Sequence, residues 1–262
     1  GAIQEVSVND RLHAVSVALA GPVRIEPPDV VRTYTSGCGR GISRVSPLWA
    51  GCFPVLDAPA SHPVAEILDA VGRLVRSSRL FRGTGLAVLN TTLRHADDDV
   101  QVVFKSSPMG TGSHGNESHN SFVLWAYGQP LLLRTGHYYS YGDPHHRGWV
   151  WSTRSLNNIT VDGHGQAPPR SSTTKGRIVD FQTTESLDAV VGEAGEAYRV
   201  IEPNGRRHPL LDRYTRTILF VKPELVIVFD RLAAREASTF QYWLHAANEF
   251  QLDGQRNIEA NR

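Results

Sequence analysis

Cysteine is scarce in this chain. Its 262 residues include two, Cys38 and Cys52. That is too few for a disulfide framework, and their spacing is not the CxxC of a zinc knuckle. A charge of one sign is also lacking. With 27 basic residues against 26 acidic ones, electrostatics give no reason to expect nucleic acid or an anionic membrane as a partner. Long apolar runs are absent, and with them any stretch able to span a bilayer as a helix. The opening residues, GAIQEVSVND, have neither the basic nor the apolar region of a signal peptide. They begin inside an apparent strand, as a fragment of a longer protein would, so the missing signal leaves the location open.

Histidine is what the chain has in number. There are 11, bunched between His114 and His164, and clustered imidazoles point to a metal or acid–base site as well as to ordinary surface positions. A length of 262 residues suffices for one large or two ordinary domains with a real core.

Two textures divide the sequence. Between Val6 and Val31 short strands are expected, HAVSVAL alternating and EPPDVV breaking the pattern at Pro27 and Pro28. A glycine-flanked cysteine follows in YTSGCGRGIS. The segment SHPVAEILDAVGRLVRSS then predicts an amphipathic helix: Ser61 caps it, Pro63 suits its first turn, and Val64, Ile67, Leu68, Val71, Leu74 and Val75 share one face. Beyond Gly85, LAVLNTTL, VQVVFKSS, NSFVLWAYG, PLLLRTG, NNITVDG, GRIVDFQTT, AVVGEAG, YTRTILFVK, ELVIVFDRL and TFQYWLHA read as strands with no helix between them. Many short strands predict an antiparallel β-sandwich rather than βαβ units. FVKPELVIVFD predicts a hairpin turning at Lys222–Pro223–Glu224.

Residues 1–84 resemble the accessory sulfurtransferases of formate dehydrogenase. VRTYTSGCGRGIS matches that family's cysteine loop and LFRGTG its F-x-x-T-G-G segment. The resemblance implies a small α+β fragment in which Cys38 carries sulfur as a persulfide toward a molybdenum cofactor. Gly41 stands where many members have a second cysteine, and the family's cofactor-binding half does not follow. The residues themselves leave open an inert Cys38, and Cys52 reads as packing.

Residues 85–262 resemble the C-terminal β-sandwich of the heparinase II/III-like polysaccharide lyases. The matching words are FKSSPMGTGSHGNESHNSFVLWAYGQPLL, GHYYSYGDPHHRGW, STRSLNNITVDGHGQ and RTILFVKPELVIVFDRL. The chain thus reads as two fragments joined near LFRGTG, with the sandwich expected to end before its last strands. The lyase resemblance implies β-elimination on uronic-acid glycans, an acidic polysaccharide as partner, and a helical toroid, absent here, to complete the cleft. The chain alone is therefore expected to have little or no activity. It also implies a periplasmic or secreted parent, whereas the sulfurtransferases are cytoplasmic.

Carried onto SHGNESHNSF, the lyase motif S-H-x-H-x-D-x-x-S-F makes His114 the active-site histidine. It puts Asn116 where a zinc-ligating histidine stands, Arg134 where a ligating aspartate stands, and Leu156 at a third ligand position. An amide, a guanidinium and an alkyl chain do not make a zinc shell, which wants deprotonated sulfur, imidazole or carboxylate. No metal is expected there. Arg134 either takes over the metal's charge, bonding Asn116 and carbonyls near Asn157, or reaches solvent. Within HYYSYGDPHHRGWVWSTR, rings and a guanidinium suit an acidic sugar: Tyr139, His146, Trp149 and Arg154, with Asn116, are the candidate substrate contacts. Packing of these aromatics at the sandwich end is the competing reading, as is a non-catalytic carbohydrate-binding or structural sandwich. His119 falls at a spacer position and His245 reads as structural. His164 is expected in a turn where glycine supplies the positive φ.

Overall fold

In the computed structural model, residues 77–108, 115–137, 140–167 and 175–246 are described in full, together with the backbone of 2–7 and 12–19. The strands are β1 (Ala2–Ser7), β2 (Leu12–Leu19), β3 (Arg79–Phe81), β4 (Leu86–Asn90), β5 (Val100–Lys105), β6 (Ser121–Ala126), β7 (Gln129–Leu132) and β8 (Asn158–Val161). They continue as β9 (Arg177–Thr183), β10 (Leu187–Glu193), β11 (Arg199–Ile201), β12 (Arg207–Pro209), β13 (Leu211–Val221), β14 (Leu225–Ala234) and β15 (Thr239–Leu244). Helical structure among the described residues is confined to single turns. The chain is mostly β, and its sheets are antiparallel.

Two five-stranded sheets, ordered β3-β4-β5-β6-β7 and β2-β14-β13-β10-β9, face each other. Alternation on each strand supplies the layer between them. Val100, Val102 and Phe104 of β5 point inward with Phe122 and Leu124 of β6, and meet Val190, Ile218, Phe220, Val226 and Val228 from the opposite sheet. Each such side chain contributes roughly 1.5–3 kcal/mol by leaving water. The strands β13 and β14 overreach this core. Their far ends carry Leu211, Tyr214, Leu232 and Ala234, which pack on Ile159, Val161, Phe240 and Tyr242 of a three-stranded sheet, β1-β15-β8.

All ten strands expected after Gly85 are present. The hairpin is there too, turning at Lys222–Glu224 so that Val221 pairs with Leu225; the Lys222–Pro223 peptide is cis. Three strands of three residues each, β3, β11 and β12, carry no legible alternation and were not foreseen. The first two strands lie in the sheets of the sandwich, β1 along β15 and β2 along β14. Strand β3 pairs with β4 from Arg79 onward, ahead of the boundary expected at residue 85. Residues 61–76 of the expected helix lie outside the described residues. Ser77 and Ser78, its last two residues, are not helical and lead into β3, the Ser78 hydroxyl donating to the buried Asp188.

Candidate functional site

One end of the β5–β6–β7 sheet gathers most of the candidate residues. The loop before β6 brings Asn116 and Glu117. Arg134 lies just beyond β7. A turn of π-helix (His146–Val150) and a turn of 3-10 helix (Thr153–Ser155) then cross this end and return the chain to β8. His114 and Tyr139, like Cys38, lie outside the described residues.

The crossing segment buries Val150 and is also held by polar bonds. Arg134 Nη2 donates to the Val150 carbonyl at 3.4 Å. The Thr135 N–H donates to the Ser155 carbonyl at 2.8 Å, and the Glu117 N–H to the Trp151 carbonyl at 3.0 Å. His146 is buried inside the segment. Its Nδ1 accepts from the Gly142 N–H at 2.7 Å, so its proton sits on Nε2, and Tyr141 and Trp151 pack against its ring. Trp149 is half-buried, edge-on to Trp243 and His245, with the Arg154 guanidinium 5.8 Å above its ring. His245 Nε2 donates to the Arg154 carbonyl at 2.8 Å, and burial lowers the pKa of its ring. That is the structural place expected of it. His164 follows Asp162 and Gly163, both at positive φ, in the turn that closes on Val161.

Beneath the site lies an ion pair that sequence reasoning missed. Arg216 and Asp230 face each other across β13 and β14, both fully buried, joined by bonds of 2.8 and 2.7 Å. Arg216 Nη1 also donates to the carbonyls of Asn120 at 2.7 Å and Asn157 at 2.9 Å. The rings of Phe122, Tyr214 and Tyr242 surround the guanidinium at 5.2–5.6 Å. Burial works against its charge, and the adjacent Asp230 carboxylate more than restores it, so Arg216 stays protonated. A signal was available: the hairpin turn at 222–224 fixes the register that sets residue 216 opposite residue 230.

His119 is no idle spacer. It is fully buried; its Nδ1 accepts from the Ser107 N–H, and its backbone N–H and carbonyl are both bonded by the Gln166 amide. Glu117 was also passed over. Its Oε2 accepts from both the N–H and the hydroxyl of Thr153 at 2.8 Å. Burial nevertheless pushes its pKa up to about 7, against the pull of those bonds and of Arg154.

The residues at the expected zinc positions do not fit a zinc ion. Arg134 is bonded to a carbonyl, and Leu156 is 5% exposed with its N–H on the Thr153 carbonyl. Among the described residues no three His, Cys, Asp or Glu side chains converge. Positive charge collects instead: burial and the nearby Arg134 both lower the pKa of Lys105, at the end of β5.

Residues 73–261 match the model of the heparinase II/III-like C-terminal domain, and the chain belongs to that family. Among solved structures it is similar to the heparan sulfate lyase HepC from Pedobacter heparinus, at 12% identity and a TM-score of 0.45 over 66% of this chain. It is also similar to a heparinase III gene product with methylated lysines, at 13% identity and a TM-score of 0.44 over 63% of this chain. The match covers 37% of the first of these chains and 35% of the second. No curated protein matches. The sulfurtransferase resemblance of residues 1–84 gains no support from these comparisons.

Proposed function

We propose that the chain is the sandwich module of a polysaccharide lyase that cleaves uronic-acid-containing glycans by β-elimination. Family membership over residues 73–261 carries this reading. The chemistry requires the uronate carboxylate to be neutralised, so that the proton at C5 becomes acidic. A base must then remove that proton, and an acid must protonate the departing O4. His114 is the residue of this chain proposed to act in proton transfer. Asn116, Tyr139, Trp149 and Arg154 are proposed to hold the sugar: the indole stacks on a pyranose face and the guanidinium pairs with a carboxylate. His146, buried as it is, would serve them by keeping the crossing segment in shape.

Arg134 is proposed to supply positive charge in place of a metal, assisted by Lys105. Metal analysis of the purified chain should find no stoichiometric zinc. The helical toroid of a whole lyase is proposed as the partner that completes the cleft. The chain alone should release little or no unsaturated uronate from alginate or glycosaminoglycans, measured by absorbance of the unsaturated product. Addition of a toroid from a related lyase should raise that rate, and an H114A chain should not respond. Equal rates from the two chains would remove His114 from the reaction.

The half-buried Trp149 under Arg154 also suits a non-catalytic glycan-binding sandwich. Glycan binding by the parent chain with no turnover, even after a toroid is added, would favour that second reading. Sulfur transfer through Cys38 is a further proposal, tested by persulfide labelling of that thiol.

A further inference from the structure

Glu117 closes a ring of hydrogen bonds through three separate segments. Its Oε2 receives the N–H and hydroxyl of Thr153. The Thr153 hydroxyl oxygen accepts from the Gln166 N–H at 2.8 Å. The Gln166 amide in turn grips both backbone groups of His119, two residues along from Glu117. The space is cut to fit. A Cβ added to Gly165 would stand 2.4 Å from the Thr153 hydroxyl and 2.8 Å from Glu117 Oε2, so only glycine lets the two oxygens meet.

Outside the ring stands Arg154, the residue after Thr153. Its guanidinium is exposed, lies over Trp149 and donates to the Gly148 carbonyl at 3.4 Å. Among the described residues it makes no salt bridge. A cation on an indole face, in no salt bridge among the described residues, offers both elements that an acidic pyranose needs: a flat apolar surface and a counter-charge. Such a pair is useful only if it is aimed. The Arg154 side chain itself contributes the bond to Gly148; the backbone bearing it is fixed by Thr153 on one side and by His245 on its own carbonyl. Two donors, the N–H and the hydroxyl of Thr153, converge on one oxygen of Glu117, so a single acceptor holds Thr153 at two points.

We propose that Glu117 is a positioning residue for acidic-glycan recognition: by gripping Thr153 it aims Arg154 and Trp149 toward the loop that carries Asn116. The proposal rests on the lyase-module reading for its ligand, but not for its geometry, and two readouts keep these apart. In the full chain, E117A should shift the indole N–H signals of Trp149 and Trp151 in a heteronuclear NMR spectrum. The signal of Trp125, exposed on the outer face of β6, should stay in place. Affinity for alginate or heparin-derived oligosaccharides, by calorimetry, should fall about tenfold, as expected for the loss of one hydrogen-bonded anchor. E117Q keeps an acceptor oxygen and should restore both readouts to near the parent values. G165A should reproduce E117A while leaving the carboxylate in place.

Unmoved Trp149 and Trp151 signals in E117A would overturn the proposal, as would an E117Q as damaging as E117A. Should E117A fail to fold, G165A decides on the same indole signals. Should the parent chain bind no acidic oligosaccharide, the lyase-module reading and the glycan half of this proposal fall together, and the indole signals then judge the positioning alone.

Discussion

Arg216 and Asp230 place opposite charges in the middle of an apolar sandwich, at full burial. Removing one partner strands the other, which typically costs 3–5 kcal/mol. R216M should therefore lower the unfolding free energy by about 3–5 kcal/mol in urea titrations. Adding D230L should recover only part of that loss. Arg216 also satisfies the carbonyls of Asn120 and Asn157, and these would remain unpaired at about 1–3 kcal/mol each. A double variant as stable as the parent would show that those two carbonyls find other donors. Glu117 titrates in a useful range. Its pKa rises on folding from the ordinary 4.5 to about 7, so the folded state binds the proton more tightly than the unfolded chain. Stability from this group is fully present below pH 4.5 and is lost as pH rises to about 7, a change of about 3 kcal/mol at most. E117Q should flatten that part of the stability–pH curve relative to the parent; parallel curves would place the carboxyl in contact with water.

At the scale of elements, the turn from β3 to β4 shows how a glycine becomes obligatory through its own φ and the close approach of the chain just past β5. Gly85 has φ +64, its N–H donates to the Phe81 carbonyl, and a Cβ there would sit 2.1 Å from the Ser106 carbonyl oxygen. G85A should thus destabilise the chain by more than the ~1 kcal/mol of an ordinary glycine replacement, read as a drop in thermal midpoint. The sequence word LFRGTG had marked a seam between two resemblances; in the structure its last glycine belongs to a strand connection within one sheet. The hairpin of β13 and β14 was legible because proline and charge interrupt two long alternating runs. The π-helical turn at His146–Val150 was not: HRGWV has no apolar period, and its shape comes from bonds to Asp143, Gly142 and Arg134.

At the scale of the whole molecule, alternation of apolar residues along ten segments determined an antiparallel sandwich, because each strand must bury one face and a sheet supplies only one buried side. The same sequence pointed to the loop before β6 and the tyrosine- and tryptophan-rich crossing, and its resemblance to the lyases set Asn116, Arg134 and Leu156 at the expected metal positions. It did not reveal what those residues rest on. Glu117 reads as one more polar loop residue until Thr153 and Gly165, distant in the chain, close around it. His146 reads as a substrate contact until its ring is found buried against Tyr141 and Trp151. Periodicity is a local property, set by backbone geometry and the gain from burying alternate side chains, so the sequence alone determined the layers. Burial, charge pairing and the pKa of a carboxylate depend on neighbours brought from elsewhere in the chain, 14 residues away for Arg216 and Asp230 and 36 for Glu117 and Thr153, and those only the tertiary structure decided.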